Sequence, residues 1–412
     1  MGNGVVIRLL GAVAALFALS IAPPAAAATS GPPSAPKLPA RAAILTVTAT
    51  GQRLYGLNAD KELPIASATK LMTALQVLEH ASLTDVFTDP NWHPAPDDSQ
   101  IGLIEGERMS VRDLMIAMLV PSADDAAEDL AFNVGRGSVA RFIAMMNQGA
   151  RAVGLGHTHY STPIGLDTPG NYSSAADLVK LAAYLLARYP FFAHVVGLSH
   201  AVLTTGYHRR YVVSRNYLVS EVPWIHGVKT GHTSKAGYVL VADGSRNGMT
   251  LMSAVLGTPS EAARDQSTVA LLDWGFQNFR LTRPVAAGAV LARPTVNGYT
   301  DRHASVIAAR TVSWVVPRGL QLRVALHVPL QLSGPLKRHT RVGSATVFEG
   351  TRPVGRVQLV LARALPGLSP FVAAARFITR PSTLVVLVVL VMAGVALTLR
   401  QRLRRRVRSG TA

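Results

Sequence analysis

Residues 62–75 read ELPIASATKLMTAL and stand where a strand-like pattern gives way to a helical one. Ser67 precedes Lys70 by three positions, so a helix starting here puts both side chains on one face. Such a pair is either a hydroxyl nucleophile with an amine to activate it, or a helix cap followed by an ordinary surface lysine. The tetrapeptide is too common to choose between these readings alone. The rest of the chain chooses.

Two further short motifs follow in order. PSADDAAEDLA contains Ser122-Ala123-Asp124, and HGVKTGHTSKAGYVLVA carries Lys229-Thr230-Gly231 into a strand-like run. Ser-x-x-Lys, Ser-Asp-Asn and Lys-Thr-Gly in this order are the signature of penicillin-binding proteins and class A β-lactamases. The chemistry explains the residue types. A serine hydroxyl needs an adjacent base. Lys70 can serve if part of it is neutral, which burial and a second cation such as Lys229 both favour. Ser122 is placed to relay a proton to a leaving amine. Lys229 and Thr230 suit a terminal carboxylate, and Gly231 lets a substrate backbone lie against the strand.

The chain resembles the D-alanyl-D-alanine carboxypeptidases, the low-molecular-weight penicillin-binding proteins. LPIASATKLMTA, LMIAMLVPSADDAAEDLA, YSTPIGLDTPGNYSSAADLVKLA, GVKTGHTSKAGYVLVA and LLDWGF follow one another in the family's order, and the likeness covers residues 43–279. The resemblance implies an α+β fold of the β-lactamase/transpeptidase type, an antiparallel sheet with a helical cluster. A small all-β domain and a C-terminal membrane anchor then follow. It implies removal of the terminal D-Ala from peptidoglycan stem pentapeptides through an acyl-enzyme on Ser67. Lys70 and Ser122 would share the catalysis, while Asp124, Lys229, Thr230, Gly231, His232 and Arg264 would bind substrate. The backbone N–H groups of Ser67 and His232 would form the oxyanion hole, and β-lactams would acylate the same serine. No metal or organic cofactor is implied.

Asp124 departs from the family, whose second motif ends in Asn. A carboxamide donates and accepts, whereas an ionised carboxylate only accepts and favours a protonated lysine beside it. Three alternatives stay open: a β-lactamase-like hydrolase, a peptidoglycan endopeptidase, and a non-catalytic penicillin-binding scaffold. A class A β-lactamase uses a glutamate to activate the deacylating water. Between Ser122 and Lys229 the glutamates are Glu128 and Glu221, and Glu221 lies close to the Lys-Thr-Gly strand.

The two ends of the chain carry the excess apolar content. Residues 1–28 place Arg8 before an apolar run and end in small residues, the pattern of a secretory signal peptide. Residues 383–399 hold no charge and approach the length of a membrane span. Arg400, Arg402, Arg404, Arg405, Arg406 and Arg408 follow, a cluster that stays on the cytoplasmic side. The expected topology is a single-pass membrane protein with its catalytic part outside and its C-terminus in the cytoplasm. A net charge of +18 suits anionic lipid or wall polymer, and no nucleic-acid-binding signature is present. With no cysteine the fold relies on its core rather than on disulfides. His157 and His159 have no Asp, Glu or Cys at ligand spacing and read as a loop pair.

The expected organisation is a signal peptide at 1–28, a flexible leader at 29–41 and a catalytic domain at 42–282. A β-rich domain at 283–378, a transmembrane helix at 383–399 and a basic tail at 400–412 complete it. Helical patterns cover 68–79, 111–134, 173–186 and 261–279. Strand patterns occur near the start, with a turn at Thr50-Gly51, and in a hairpin turning at 244–248. This order predicts that both ends of the catalytic region build one sheet. Beyond residue 280 short alternating runs broken by Pro and Gly predict an all-β module, with no helical periodicity before the membrane segment.

Overall fold

Strands β1 (Ala42–Val47) and β2 (Arg53–Leu57) form an N-terminal hairpin whose partner in the sheet comes from far along the chain. The structure, a computed structural model, describes residues 34–408 apart from 91, 93, 96, 97, 300, 369 and 379. The expected signal peptide, the first leader residues and the last four residues of the tail lie outside the described residues.

A short 3-10 turn, Ala66–Thr69, leads into α1 (Lys70–His80). A two-stranded ribbon of β3 (Val86–Thr88) and β4 (Arg108–Ser110) precedes α2 (Val111–Leu119) and α3 (Asp124–Val134). Then come α4 (Val139–Val153), α5 (Ala175–Arg188), α6 (Pro190–Val196), a ribbon of β5 (His200–Leu203) and β6 (Arg210–Val213), and α7 (Leu218–Glu221). Strands β7 (Ile225–Thr233), β8 (Gly237–Arg246) and β9 (Met249–Thr258) and helix α8 (Glu261–Asn278) complete this part.

The sheet order is β2-β1-β9-β8-β7, antiparallel throughout, so β1 from the start of the chain lies beside β9. Both faces are covered. Ala42 and Ile44 of β1, Val239 and Val241 of β8, and Met252 and Ala254 of β9 pack into the helical cluster of α1 to α5. Ala43 and Leu45, Leu240 and Ala242, and Leu251 and Val255 pack on the opposite side with Leu271, Leu272 and Phe276 of α8. A strand buried on both faces loses polar alternation, which is why β8 and β9 read as near-continuous apolar runs. Helix α1 is the centre of the cluster, with every residue from Lys70 to Val77 buried.

Four sequence expectations need correction. The pattern at 111–134 is two helices: α2 ends at Leu119 and α3 begins at Asp124, with Ser122 at φ 67° between them. Val120 still has helical backbone, and Pro121 ends the run because it has no N–H to continue the ladder; apolar periodicity is blind to such a break. Helix α4 was not anticipated, because its buried stripe is interrupted by Asn147 and Gln148; its signals were the Ser138 cap and the left-handed Gly154. Beyond the β-rich segment a further helix, α9 (Pro370–Ile378), precedes the long apolar one. The hairpin turn is narrower than 244–248, since β8 runs to Arg246 and Asn247-Gly248 alone close it.

Strand β10 (Phe279–Val285) pairs with Val312–Pro317 and leads into the all-β segment. A five-stranded sheet there runs Val290–Ala292, Val306–Ala308, Arg352–Leu361, Arg341–Glu349, Arg323–His327. Its core includes Val306, Ala345, Val347, Val357 and Leu359. Gln52, just before β2, donates to the Val315 carbonyl at 2.9 Å and accepts from the Val315 N–H at 3.2 Å. Helix α10 (Pro381–Arg408) contains one stretch, Pro381–Arg402, long and apolar enough to cross a membrane. Leu384, Val388, Met392 and Leu397 on it are exposed.

Candidate active site

The three motifs meet around the Ser122 hydroxyl, which lies between the amines of Lys70 and Lys229. Ser67 lies half-buried in the 3-10 turn and Lys70 opens α1, fully buried. Lys70 Nζ is 3.0 Å from Ser67 Oγ, 2.8 Å from the Ser122 carbonyl, 3.3 Å from Ser122 Oγ and 2.5 Å from Asp124 Oδ1. Lys229 on β7 reaches the same hydroxyl, with Nζ 2.8 Å from Ser122 Oγ and 3.0 Å from the Thr230 carbonyl. Burial, with the positive charge of Lys70 behind it, holds the Lys229 amine well below the usual lysine range, Asp124 opposing.

Local sequence explains each placement. The break between α2 and α3 turns Ser122 back so that its hydroxyl and its carbonyl both face Lys70. Asp124 is the first residue of α3, where the helix dipole favours a carboxylate. Its second oxygen accepts from the Ser99 N–H at 3.1 Å, and Asp125 accepts from the N–H groups of Ile101, Gly102 and Leu103. The two adjacent acids thereby pin the 99–103 loop to the site.

Two glycines set how closely the Ser67 turn is gripped. A Cβ on Gly231 would stand 2.9 Å from the Ser67 nitrogen and 3.0 Å from the Ala66 Cβ, so β7 approaches the turn as only glycine allows. A Cβ on Gly165, at φ 97°, would stand 2.0 Å from the Ala66 carbonyl oxygen. Asn171 also donates to Thr69 Oγ1 at 3.0 Å, and Asp167 accepts from the Thr233 hydroxyl and the Lys235 N–H. The loop at 165–171 therefore joins the Ser67 turn to the end of β7.

Ser67, Lys70, Ser122, Asp124 and Lys229 thus form one hydrogen-bonded group. Thr230, Gly231 and His232 follow Lys229 along β7, and the His232 ring stacks on Tyr238 with centroids 4.0 Å apart. Arg264 is buried on α8, and its positive charge is felt at Lys229. Its guanidinium is held by Asp265 at 2.8 Å and Glu261 at 2.9 Å, and among the described hydrogen bonds it makes none to the motif residues. Glu221 is exposed at the end of α7. His159 faces the Gly170 carbonyl at 2.7 Å.

The sequence motifs did not single out Glu128. It lies one turn beyond Asp124 on α3 and is 8% exposed. Burial, reinforced by Asp124 and opposed by Lys70, pushes its carboxyl up to about 7. The available signal was its i+4 spacing from Asp124, which places both acids on one helix face.

Sequence and structure comparisons agree with this architecture. The model of the D-alanyl-D-alanine carboxypeptidase family matches residues 29–260. D-alanyl-D-alanine carboxypeptidase DacD of Salmonella typhimurium is 31% identical, over 86% of this chain and 93% of its own length. DacC of Escherichia coli is 33% identical, over 78% and 83%. The solved structure of penicillin binding protein 5 from Haemophilus influenzae has a TM-score of 0.66 at 29% identity, covering 80% of this chain and 98% of that one. The Streptomyces K15 DD-transpeptidase gives 0.57 at 31% identity, over 59% and 99%. The fold is that of the penicillin-binding serine hydrolases. Within them, the chain belongs to the D-alanyl-D-alanine carboxypeptidase family.

The raised carboxyl of Glu128 has a consequence for stability. Between its ordinary value of 4.5 and about 7 the folded chain holds a proton that the unfolded chain has lost. Its contribution is complete below that window and fades as pH rises through it. Glu128→Gln should therefore gain thermal stability relative to wild type on going from about pH 5 to about pH 8. Melting curves at both pH values check this, and an equal difference at each would overturn it.

Proposed function

We propose that Ser67 is the acylated nucleophile and that Lys70, Ser122 and Lys229 carry its proton. As a member of its family the chain is a serine-type D-Ala-D-Ala carboxypeptidase acting on peptidoglycan. The observation that supports the assignment of roles is the linear array Ser67 Oγ, Lys70 Nζ, Ser122 Oγ and Lys229 Nζ, with successive separations of 3.0, 3.3 and 2.8 Å. Ser67 attacks the carbonyl of the penultimate D-Ala, and its proton passes to Lys70. Lys70 passes one of its own through Ser122 to Lys229, whose neutral form burial favours. The oxyanion is received by the N–H groups of Ser67 and His232. The C–N bond then breaks, the departing D-Ala amine takes a proton from Ser122, Ser122 recovers one from Lys229 across their 2.8 Å contact, and water hydrolyses the acyl-enzyme. Lys229, charged while it carries the relayed proton, and Thr230 hold the terminal carboxylate, with Arg264 adding positive potential. A β-lactam presents its strained carbonyl to the same serine.

A fluorescent penicillin should label the full-length protein at Ser67, and a pentapeptide ending in D-Ala-D-Ala should release free D-Ala. Ser67→Ala should lose both while staying folded, since the Ser67 side chain caps no helix and its described hydrogen bond is to Lys70. Mapping of the adduct to another residue would sink the assignment.

Asp124 modifies the scheme. An ionised carboxylate against Lys70 retains the proton that the relay has to move. Asp124→Asn should raise the rate of penicillin acylation near neutral pH by about tenfold, the worth of one charge-assisted hydrogen bond. An unchanged or slower rate would show that Asp124 takes an active part.

We also propose that residues 42–282 form the catalytic domain and 283–378 the β-rich one. In this reading α10 is a single-pass anchor with the arginine-rich end in the cytoplasm. The apolar, exposed side chains of α10 support this, and Thr398 turns its hydroxyl back onto the Gly394 and Val395 carbonyls, as lipid requires. A chain ending at residue 380 should leave the membrane fraction and keep penicillin binding. Continued membrane association would point to a different anchor.

A further inference from the structure

Residues 207–217 read YHRRYVVSRNY, and their side chains alternate across the β5–β6 ribbon and the segment that follows it. Arg210, Val212, Ser214 and Asn216 are buried, whereas Arg209, Tyr211, Val213, Arg215 and Tyr217 are exposed. Tyr211 is 66% exposed and Tyr217 44%, a large aromatic surface for an enzyme of this kind to leave open. His200, across the ribbon, supports the Tyr211 ring with centroids 5.5 Å apart. The strip forms one wall of a cleft of about 510 Å³, and Gln100, Ile101 and Pro121 form the other.

The cleft is fastened to the catalytic site by its buried residues. Arg210 clamps Glu107 with two hydrogen bonds of 2.7 and 2.8 Å and also donates to the Ile101 and Gly102 carbonyls. Those two residues belong to the loop held by Asp125. The Arg215 N–H donates to the Val120 carbonyl at 3.1 Å, and Pro121 in the opposite wall directly precedes Ser122. The positive charge of Arg215 also reaches Lys229. The wall of the cleft is thus joined directly, through Pro121 and the 99–103 loop, to the residues around Ser122.

The charges of the strip differ from those around it. Arg210 is saturated by Glu107, but among the described residues no ion pair involves Arg209 or Arg215. Two unpaired guanidinium groups beside exposed tyrosines favour a ligand that is part aliphatic and part anionic. The proposed reaction supplies such a ligand: the peptide upstream of D-Ala-D-Ala has to leave the catalytic site along some surface.

We propose that this cleft is a subsite for the upstream part of the stem peptide, and that Arg209, together with Arg215, selects donors carrying a free carboxylate there. The aliphatic part of that residue lies along Tyr211. The inference rests on the carboxypeptidase reading given above.

The test uses the full-length protein in detergent and two pentapeptides ending in D-Ala-D-Ala, identical except for Glu or Gln at an upstream position. The ratio of kcat/KM for the acidic over the amidated peptide should be about ten in wild type, the scale of one charge-assisted hydrogen bond. It should fall towards one in Arg209→Gln and be largely retained in Arg209→Lys. Penicillin labelling of each variant at Ser67 reports that it is folded. Release of D-Ala from both peptides with no acidic preference, or an Arg209→Gln variant that keeps the wild-type ratio, overturns the subsite alone. Complete penicillin labelling with no D-Ala released from either peptide overturns the carboxypeptidase reading and the subsite with it.

Discussion

The nitrogen of Lys70 is buried, charged when protonated, and surrounded by oxygens of Ser67 and of the 122–124 turn. A cation withdrawn from water costs several kcal/mol unless its hydrogen bonds are made within the protein. The Ser67 turn, the Ser122 turn and the start of α3 therefore have to deliver oxygens to one point. Two non-glycine residues hold left-handed backbone to do so, Ala66 at φ 48° and Ser122 at φ 67°. Such conformations cost of order 1 kcal/mol or more and persist where the surroundings over-determine them. Here the grip of β7 and the 165–171 loop on one side, and the packing of α2 against α3 on the other, supplies that determination.

The second feature of the site is its density of acid on α3. Asp124, Asp125, Glu128 and Asp129 fall within two turns, and all are buried. Asp124 and Asp125 are reconciled with burial by Lys70 and by backbone N–H groups of the 99–103 loop. Glu128 has no such partner at hydrogen-bond distance among the described residues and stays largely protonated in the lower part of the neutral range. The pairing of lysine with carboxylate at the second motif is thus one part of a wider electrostatic arrangement along a single helix. Arg209 and Arg215, without ion pairs among the described residues, flank β6 on its exposed strip.

Much of this was legible in the sequence because its signals are short-range. Ser67 and Lys70 are one turn apart, Lys229 and Thr230 are contiguous, and the apolar runs of β8 and β9 announce strands covered on both faces. The break at 120–123 was not legible from periodicity, since α2 and α3 are both apolar on the sides that meet; Pro121 was the only mark of it. Glu128 escaped because its meaning depends on burial, which is a property of the packed helix cluster. The alternation from Arg209 to Tyr217 could be read as a strand, but which face stays open is decided by Glu107, a hundred residues earlier in the chain. Arg264 shows the opposite case: its position was readable, but its engagement with Glu261 and Asp265 needed the folded helix.

The seam between β1 and β9 carries a consequence of another kind. Thr46 and Met252, joined across it, are 206 positions apart. Closing so large a loop is entropically unfavourable until the sheet's apolar surface can be buried on both sides. During synthesis the first strand has only β2 beside it until residues of β9 emerge, and Ile44 and Leu45 meanwhile expose apolar surface. A chain interrupted before residue 249 would retain Ser67 and Lys70 but lack β9, the strand that joins β1 to β8. Reactivity towards an acylating agent is therefore acquired late and all at once, as a property of the finished domain rather than of the motif that contains the serine.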